Sequence, residues 1–229
     1  MNFSAEEWQA IGLTLGVAAR AVGFGLPLAL AGAFVLARGN FRGRAVLDAV
    51  AHLPLVLPPV VIGWLLLLLF GVRGPVGAWL YEWFGVRLVF STAGAALACG
   101  VMVFPLMLRA IRLSLDAVDP ALEQAARTLG AGAWDRFFTI TFPLAAPGVL
   151  VGAITGFAAS LGEFGAVITF AANVPGQTQT LPLAIYAALQ TPGGEEAAAR
   201  LSLASLMLAL GGLGAAEWAG RRLRARVGR

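Results

Sequence analysis

Apolar side chains run along this chain in long blocks rather than in alternation. Five blocks reach the roughly 20 mostly apolar residues that a helix needs to cross a hydrocarbon layer, at about 11–37, 49–70, 89–108, 146–171 and 197–218. The last is the weakest, because Arg200 and Glu217 shorten its uncharged part, although both side chains can snorkel. Between the third and fourth blocks, at about 109–145, stands the longest charged and turn-punctuated stretch, containing EQAARTLGAGAWDRFFTITFP. Asp119 and Pro120 supply an N-cap and a first-turn residue there, Glu123 sits near the positive helix end, and Leu122, Ala125, Ala126 and Leu129 repeat at helical spacing. Gly130 is placed to stop that helix in a left-handed cap, and Gly132 follows before a second short helix through Trp134 and Phe138. Pro143 and Pro147 then turn the chain into the fourth block. One further apolar run, TLPLAIYAALQ at 180–190, is too short to cross and is expected to re-enter or to lie over the outer end of the bundle. The pattern predicts an all-α integral membrane protein, a single five-span helical domain over 1–229. It shows no soluble domain boundary and no internal repeat, so an inverted-repeat carrier receives no support.

Composition agrees with lipid as the solvent. The chain has 59% hydrophobic and 12% charged residues, against about 25% charged in an ordinary globular domain, too few charges to cover a water-facing surface. Every one of the sixteen basic residues is arginine, and their placement sets the orientation by the positive-inside rule. With the C-terminus in the cytoplasm, twelve lie inside: Arg38, Arg42 and Arg44 after the first span, Arg109, Arg112, Arg127 and Arg136 in the large loop, and five from Arg221 to Arg229. The acidic start, MNFSAEEW, then falls outside and has no basic region of the kind a cleaved signal requires, so the first span is expected to stay. The tail RRLRAR reads as a topology anchor against anionic lipid rather than a nucleic-acid patch. Trp8, Trp79, Trp83 and Trp218 sit near span ends, as an aromatic belt at the lipid interface requires.

Few side chains offer chemistry. The single cysteine, Cys99, lies in an apolar run and supports neither a disulfide framework nor a metal cluster. The single histidine, His52, falls near the cytoplasmic boundary and reads as interfacial rather than as a proton relay. Glu163 is the strongest site candidate, because a charge within a span costs roughly 2.5–3.5 kcal/mol on insertion scales and needs a partner or water. Arg20 and Glu163 both fall about four residues, or about 6 Å, to the outer side of their span midpoints, so an ion pair between them is expected, if only in one state. Gly156, Gly162 and Gly165 around Glu163 permit close helix contact, and Ser160 offers a hydroxyl either to a pathway or to its own helix. Pro54, Pro58 and Pro59 interrupt backbone bonding early in the second span, which bends a packing helix or kinks one beside a pathway.

The large loop is similar to the EAA loop of permease subunits of ATP-driven ABC importers. In the register of that motif stand Gln124, Ala125 and Ala126, then Gly130, Ile140 and Pro143, with Glu123 just before the position of the acid and Phe142 in place of a leucine. The resemblance extends over the whole length to the molybdate permeases of that superfamily, through HLPLVLPPVVIG at 52–63, SLGEFGAVITF at 160–170 and QTPGGEEAAARL at 190–201. Sulfate and tungstate permeases resemble the same regions. The resemblance implies a bacterial inner-membrane, multi-pass transport subunit without cofactor, working as a homodimer. Its partners would be two ATP-binding subunits docked on the loops and an extracytoplasmic molybdate-binding protein, with no nucleic acid involved. Ser160, Gly162, Glu163, Pro58 and Pro59 would then border the pathway or gate. Because a carboxylate repels a dianion, Glu163 suits a gate better than a ligand. The chain carries no G-x-x-x-x-G-K-[ST] phosphate loop, so ATP hydrolysis is expected on another polypeptide. A proton-coupled carrier would need more intramembrane acids or histidines than Glu163 alone, and a membrane enzyme would need a nucleophile with its base.

Overall fold

The computed structural model describes residues 3–227, and every regular element among them is helical. Eleven helices follow one another: α1 (Ala5–Arg38), α2 (Arg44–Val56), α3 (Pro59–Phe70), α4 (Pro75–Phe84), α5 (Thr92–Asp116), α6 (Pro120–Thr128), α7 (Ala133–Arg136), α8 (Phe142–Leu161), α9 (Gly165–Ala171), α10 (Leu181–Leu189) and α11 (Glu195–Val227). A single π-helical turn, Phe137–Thr141, joins α7 to α8 without a break.

The centre is a three-helix packing of α1, α5 and α8. Its tightness comes from glycine. Gly148, Gly152 and Gly156 recur every fourth residue on α8 and face α5, where a Cβ on Gly148 would overlap the Ser114 side chain and one on Gly156 would come within 2.8 Å of Met107. Small residues at this spacing let two backbones approach in a medium that offers no hydrophobic drive between helices. Two buried clusters follow: Leu36, Met107, Leu108, Ile111 and Leu115 toward the loop end, and Val17, Ile62, Leu66, Val167 and Phe170 toward the other.

Three helical runs are long and apolar enough to cross a membrane: Ala5–Arg38, Thr92–Asp116 and the continuous stretch Ala133–Leu161. The second predicted span, 49–70, is not one straight helix. It breaks into α2 and α3, which bend by 117° and supply a fourth crossing only if taken together. Pro58 forces Leu57 out of the helical region, to ψ 144°, and Pro59 then serves as the first residue of a new helix that loses nothing by lacking its N–H. The fourth predicted span, 146–171, starts earlier and stops earlier: α8 ends at Leu161, and α9 is a separate short helix. Five crossings are therefore not reached among the described residues. The last predicted span falls on α11, whose side chains beyond residue 212 are largely outside the described set, as are those of the arginine-rich tail.

The run at 180–190 forms α10, packed on α11 and α1 with Leu181 and Leu183 buried. Its first amide donates to Thr14 Oγ1 of α1 at 2.7 Å. At the same end, Ser4 and Glu7 close a reciprocal cap on α1, and Glu7 also accepts from Arg200 of α11 at 2.9 Å.

Candidate functional site

Two features separate from the packed centre, one at the end of the bundle and one at mid-depth. At the end, α6, α7 and the π-turn form a knob. Asp119 caps α6 by accepting from the Ala121 amide at 2.9 Å, with Pro120 in the first turn. The helix stops as its sequence predicts: Gly130 takes φ +88°, its amide bonds the Arg127 carbonyl, and the Ala131 amide reaches back to Ala126 at 3.0 Å. This double closure needs a residue without a Cβ at the left-handed position. Gly132 then caps α7, and Arg136 donates to the Ala131 carbonyl at 3.0 Å, holding the turn between the two helices.

The knob has two faces. Phe137 turns inward, edge-on to Phe34 of α1 at 5.3 Å. Outward stand Leu129, Trp134 and Phe138, which are 87%, 76% and 60% exposed, with the rings of Trp134 and Phe138 stacked at 6.1 Å. Gln124, Ala125 and Gly130 are also exposed, while Ala126 and Ile140 are half-buried and Pro143 lies in the exposed first turn of α8.

Glu123 ties this knob to the bundle. Its Oε1 accepts from Arg38 Nη2, at the end of α1, at 2.9 Å and from Thr141 Oγ1, just before α8, at 2.9 Å. One carboxylate thus joins α6 to the end of α1 and to the π-turn that leads into α8. Sequence reasoning singled out Glu123 but not its partners. Arg38 is 85 positions away and counted only as a cytoplasmic charge, and no local periodicity marks Thr141 as a ligand.

At mid-depth two chain breaks meet. Gly165 at the start of α9 lies so close to Pro59 at the start of α3 that a Cβ would come within 2.7 Å of the proline ring. Gly63 abuts Ala166 and Thr169 in the same way. Pro58 and Gly162 are exposed beside this junction. Glu163 bridges the second break: its Oε1 accepts from the Ala166 amide at 2.9 Å, satisfying a free donor at the start of α9. Ser160 is buried and donates to Gly156 of its own helix at 2.8 Å, the duller of its two predicted roles. Arg20 and Glu163 form no ion pair among the described residues. Arg20 is exposed on α1, where it borders an apolar groove of about 620 Å³ between α1, α2 and α5. The break at 162–164 turns the Glu163 carboxylate onto its own backbone instead.

Comparison with known proteins places this geometry. Residues 22–225 match the family described as binding-protein-dependent transport system inner membrane component. The chain is 57% identical over 229 residues, all of both chains, to the molybdenum transport system permease protein ModB of Escherichia coli (strain K12). It is 37% identical over 179 residues, 77% of this chain and 64% of the other, to the sulfate transport system permease protein CysT of the same organism. Among solved structures, a chain of the bacterial alginate ABC transporter in complex with alginate pentasaccharide-bound periplasmic protein matches 96% of this chain and 80% of its own, with a TM-score of 0.77 at 19% identity.

Proposed function

Because the chain belongs to the inner membrane components of binding-protein-dependent transport systems, we propose that it is the permease subunit of an ATP-driven importer that carries molybdate into the cytoplasm. Support for the ion is full-length identity of 57% to a molybdenum permease, against partial coverage at 37% for a sulfate permease. The observation that carries the mechanism is the knob, which offers three exposed apolar side chains to a partner while one carboxylate fastens it to α1 and ties α6 to the π-turn that runs into α8.

In this reading a separate ATPase subunit covers Leu129, Trp134 and Phe138. Its movement displaces α6 and α7 as one piece, since the capped glycine turn and Arg136 fix them to each other. Displacement passes to α8 through the unbroken π-turn and to α1 through Arg38. The α8 rod ends beside the junction of α3 and α9, so a push at the knob reaches Pro58, Pro59, Gly162 and Glu163 at mid-depth. Opening and closing there, in a homodimer with one knob per copy, gives alternating access. An extracytoplasmic binding protein delivers the ion to the end of the bundle that holds Glu7 and Arg200, with the N-terminus outside and the C-terminus in the cytoplasm. Arg20, now facing the groove, approaches Glu163 in another state, and Arg20→Ala with undiminished uptake removes that pairing.

The test is reconstitution with the ATPase and the binding protein in proteoliposomes. Uptake is expected to require ATP and to be competed by tungstate more strongly than by sulfate. Trp134→Ala, on a side chain that is 76% exposed and stacks on Phe138 of the knob, is expected to lower co-purification of the ATPase while leaving the permease itself folded. ATP-independent uptake that follows a proton gradient would replace this reading with a carrier.

A further inference from the structure

A second polar feature lies on the last two turns of α5, before the knob, and takes no part in the latch. Between α2 and α5, at the end nearest the loop, a cavity of about 570 Å³ is walled by Ala45, Asp48 and His52 on one side and Arg109 and Arg112 on the other. Its charges are not equivalent. Arg112 is committed: its Nη1 bonds Asp48 Oδ1 at 2.9 Å, and its Nε lies 3.7 Å from Asp116. His52 is fixed through Nδ1 on the Asp48 carbonyl at 2.8 Å and 3.3 Å from its carboxylate, leaving Nε2 as its remaining polar atom. Arg109 is exposed at the cavity and has no carboxylate partner among the described residues.

Arg109 stands seven residues before the end of α5, about 10 Å along the helix axis. At that depth an arginine without a counterion faces water or an anion rather than hydrocarbon. The carboxylate that lines the cavity, Asp48, is taken up by Arg112, which leaves the guanidinium of Arg109 as the unspent charge. The two guanidinium groups, at i and i+3, share one face of α5, and Ala45 and Ala49 opposite them leave room for a small ligand rather than filling it. Planar guanidinium groups bind tetrahedral oxyanions bidentately.

We propose that this cavity is a cytoplasmic-side site for a small tetrahedral oxyanion, held chiefly by Arg109 and with Arg112 and His52 as its fixed wall, where the transported ion pauses on release. The inference rests on the transport reading above. Because α5 ends at Asp116 and the knob begins at Pro120, an ion in this cavity lies beside the helix that leads into the coupling loop.

The experiment uses the complex of this chain with its ATPase in nanodiscs of neutral lipid, without binding protein, titrated with radiolabelled molybdate. Saturable binding is expected, weakened about ten- to a hundredfold by Arg109→Gln, as the loss of one charged hydrogen-bonding group implies, and partly restored by Arg109→Lys. Since Arg109 is exposed and unpaired, Arg109→Gln is expected to elute and melt as the parent does. Equal binding by parent and Arg109→Gln overturns the proposal. So does no saturable binding by a complex whose ATP hydrolysis is still stimulated by the loaded binding protein, an outcome that leaves the transport reading standing. Loss of molybdate binding when anionic phospholipid replaces neutral lipid overturns it too, since the cavity then belongs to a headgroup. A parent complex with no stimulation by any binding protein brings down the transport reading and this site with it.

Discussion

Replacing Glu123 by alanine removes the carboxylate that fastens the knob to α1 and ties α6 to the π-turn before α8. Arg38 and Glu123 are 24% and 28% exposed at their side chains, so the pair is partly shielded and its worth exceeds that of a solvent-facing ion pair. A hydrogen bond to a charged group contributes about 1.5–3 kcal/mol. Taking the lower half of that range for partial exposure gives about 2 kcal/mol for knob docking, or about thirtyfold in the undocked population at 25 °C. Hydrogen exchange of the amides from 121 to 131 reads this directly, with protection expected to fall by about that factor while the buried part of α5 stays protected. In proteoliposomes that also hold the proposed ATPase subunit, a complex with this variant is expected to hydrolyse ATP yet import fewer ions per ATP, because the stroke no longer reaches α1. Glu123 also sits in the first turn of α6, where a carboxylate contributes about 0.3–1 kcal/mol to the helix itself. Arg38→Ala separates the two effects, since it breaks the latch and leaves that turn intact. If single and double variants of this pair show additive losses, or if exchange and stoichiometry are unchanged in Glu123→Ala, the latch transmits nothing and the mechanism is wrong.

Gly148→Ala sets a Cβ against Ser114 and is expected to cost about 1–3 kcal/mol through overpacking, seen as a lower melting temperature in detergent; an unchanged melt would show that α5 and α8 have slack. Thr14→Val leaves the buried Leu181 amide without its acceptor, at about 1–3 kcal/mol, and is expected to raise proteolytic cleavage around α10 without altering the knob. Pro58→Ala restores one backbone donor but keeps Pro59 at the start of α3, so the bend between α2 and α3 is expected to persist, measured as an unchanged spin-label distance between positions 46 and 68.

What was legible in the sequence was what local chemistry decides. The bounds of α6 follow from Asp119, Pro120 and Gly130, because each acts on its own backbone within a turn. The break in the second span was visible as three prolines, but its angle was not: that depends on Gly165 and Gly63 letting α9 seat against α3, more than 100 residues apart in the chain. The partners of charged groups were equally hidden, since Arg38 finds Glu123 and Arg200 finds Glu7 only after the bundle has formed. The Arg20–Glu163 pairing failed in this state for a matching reason. Depth along a span says how far from the surface a residue lies, not which way it faces, and the carboxylate had a nearer donor in the Ala166 amide. The short helix α4 left no periodic trace and showed itself only as the tryptophans Trp79 and Trp83 at a span end.

The stacked rings of Trp134 and Phe138, and the exposed Leu129 of the same knob, also bear on how a cell must manufacture this machine. An exposed apolar patch of this kind invites promiscuous sticking, and on the proposed function it does so whenever the ATPase subunit that would cover it is in short supply. If that function holds, balanced synthesis of the two subunits becomes a requirement of the surface itself, because the same three side chains that would make a copy useful once assembled leave an orphaned one adhesive.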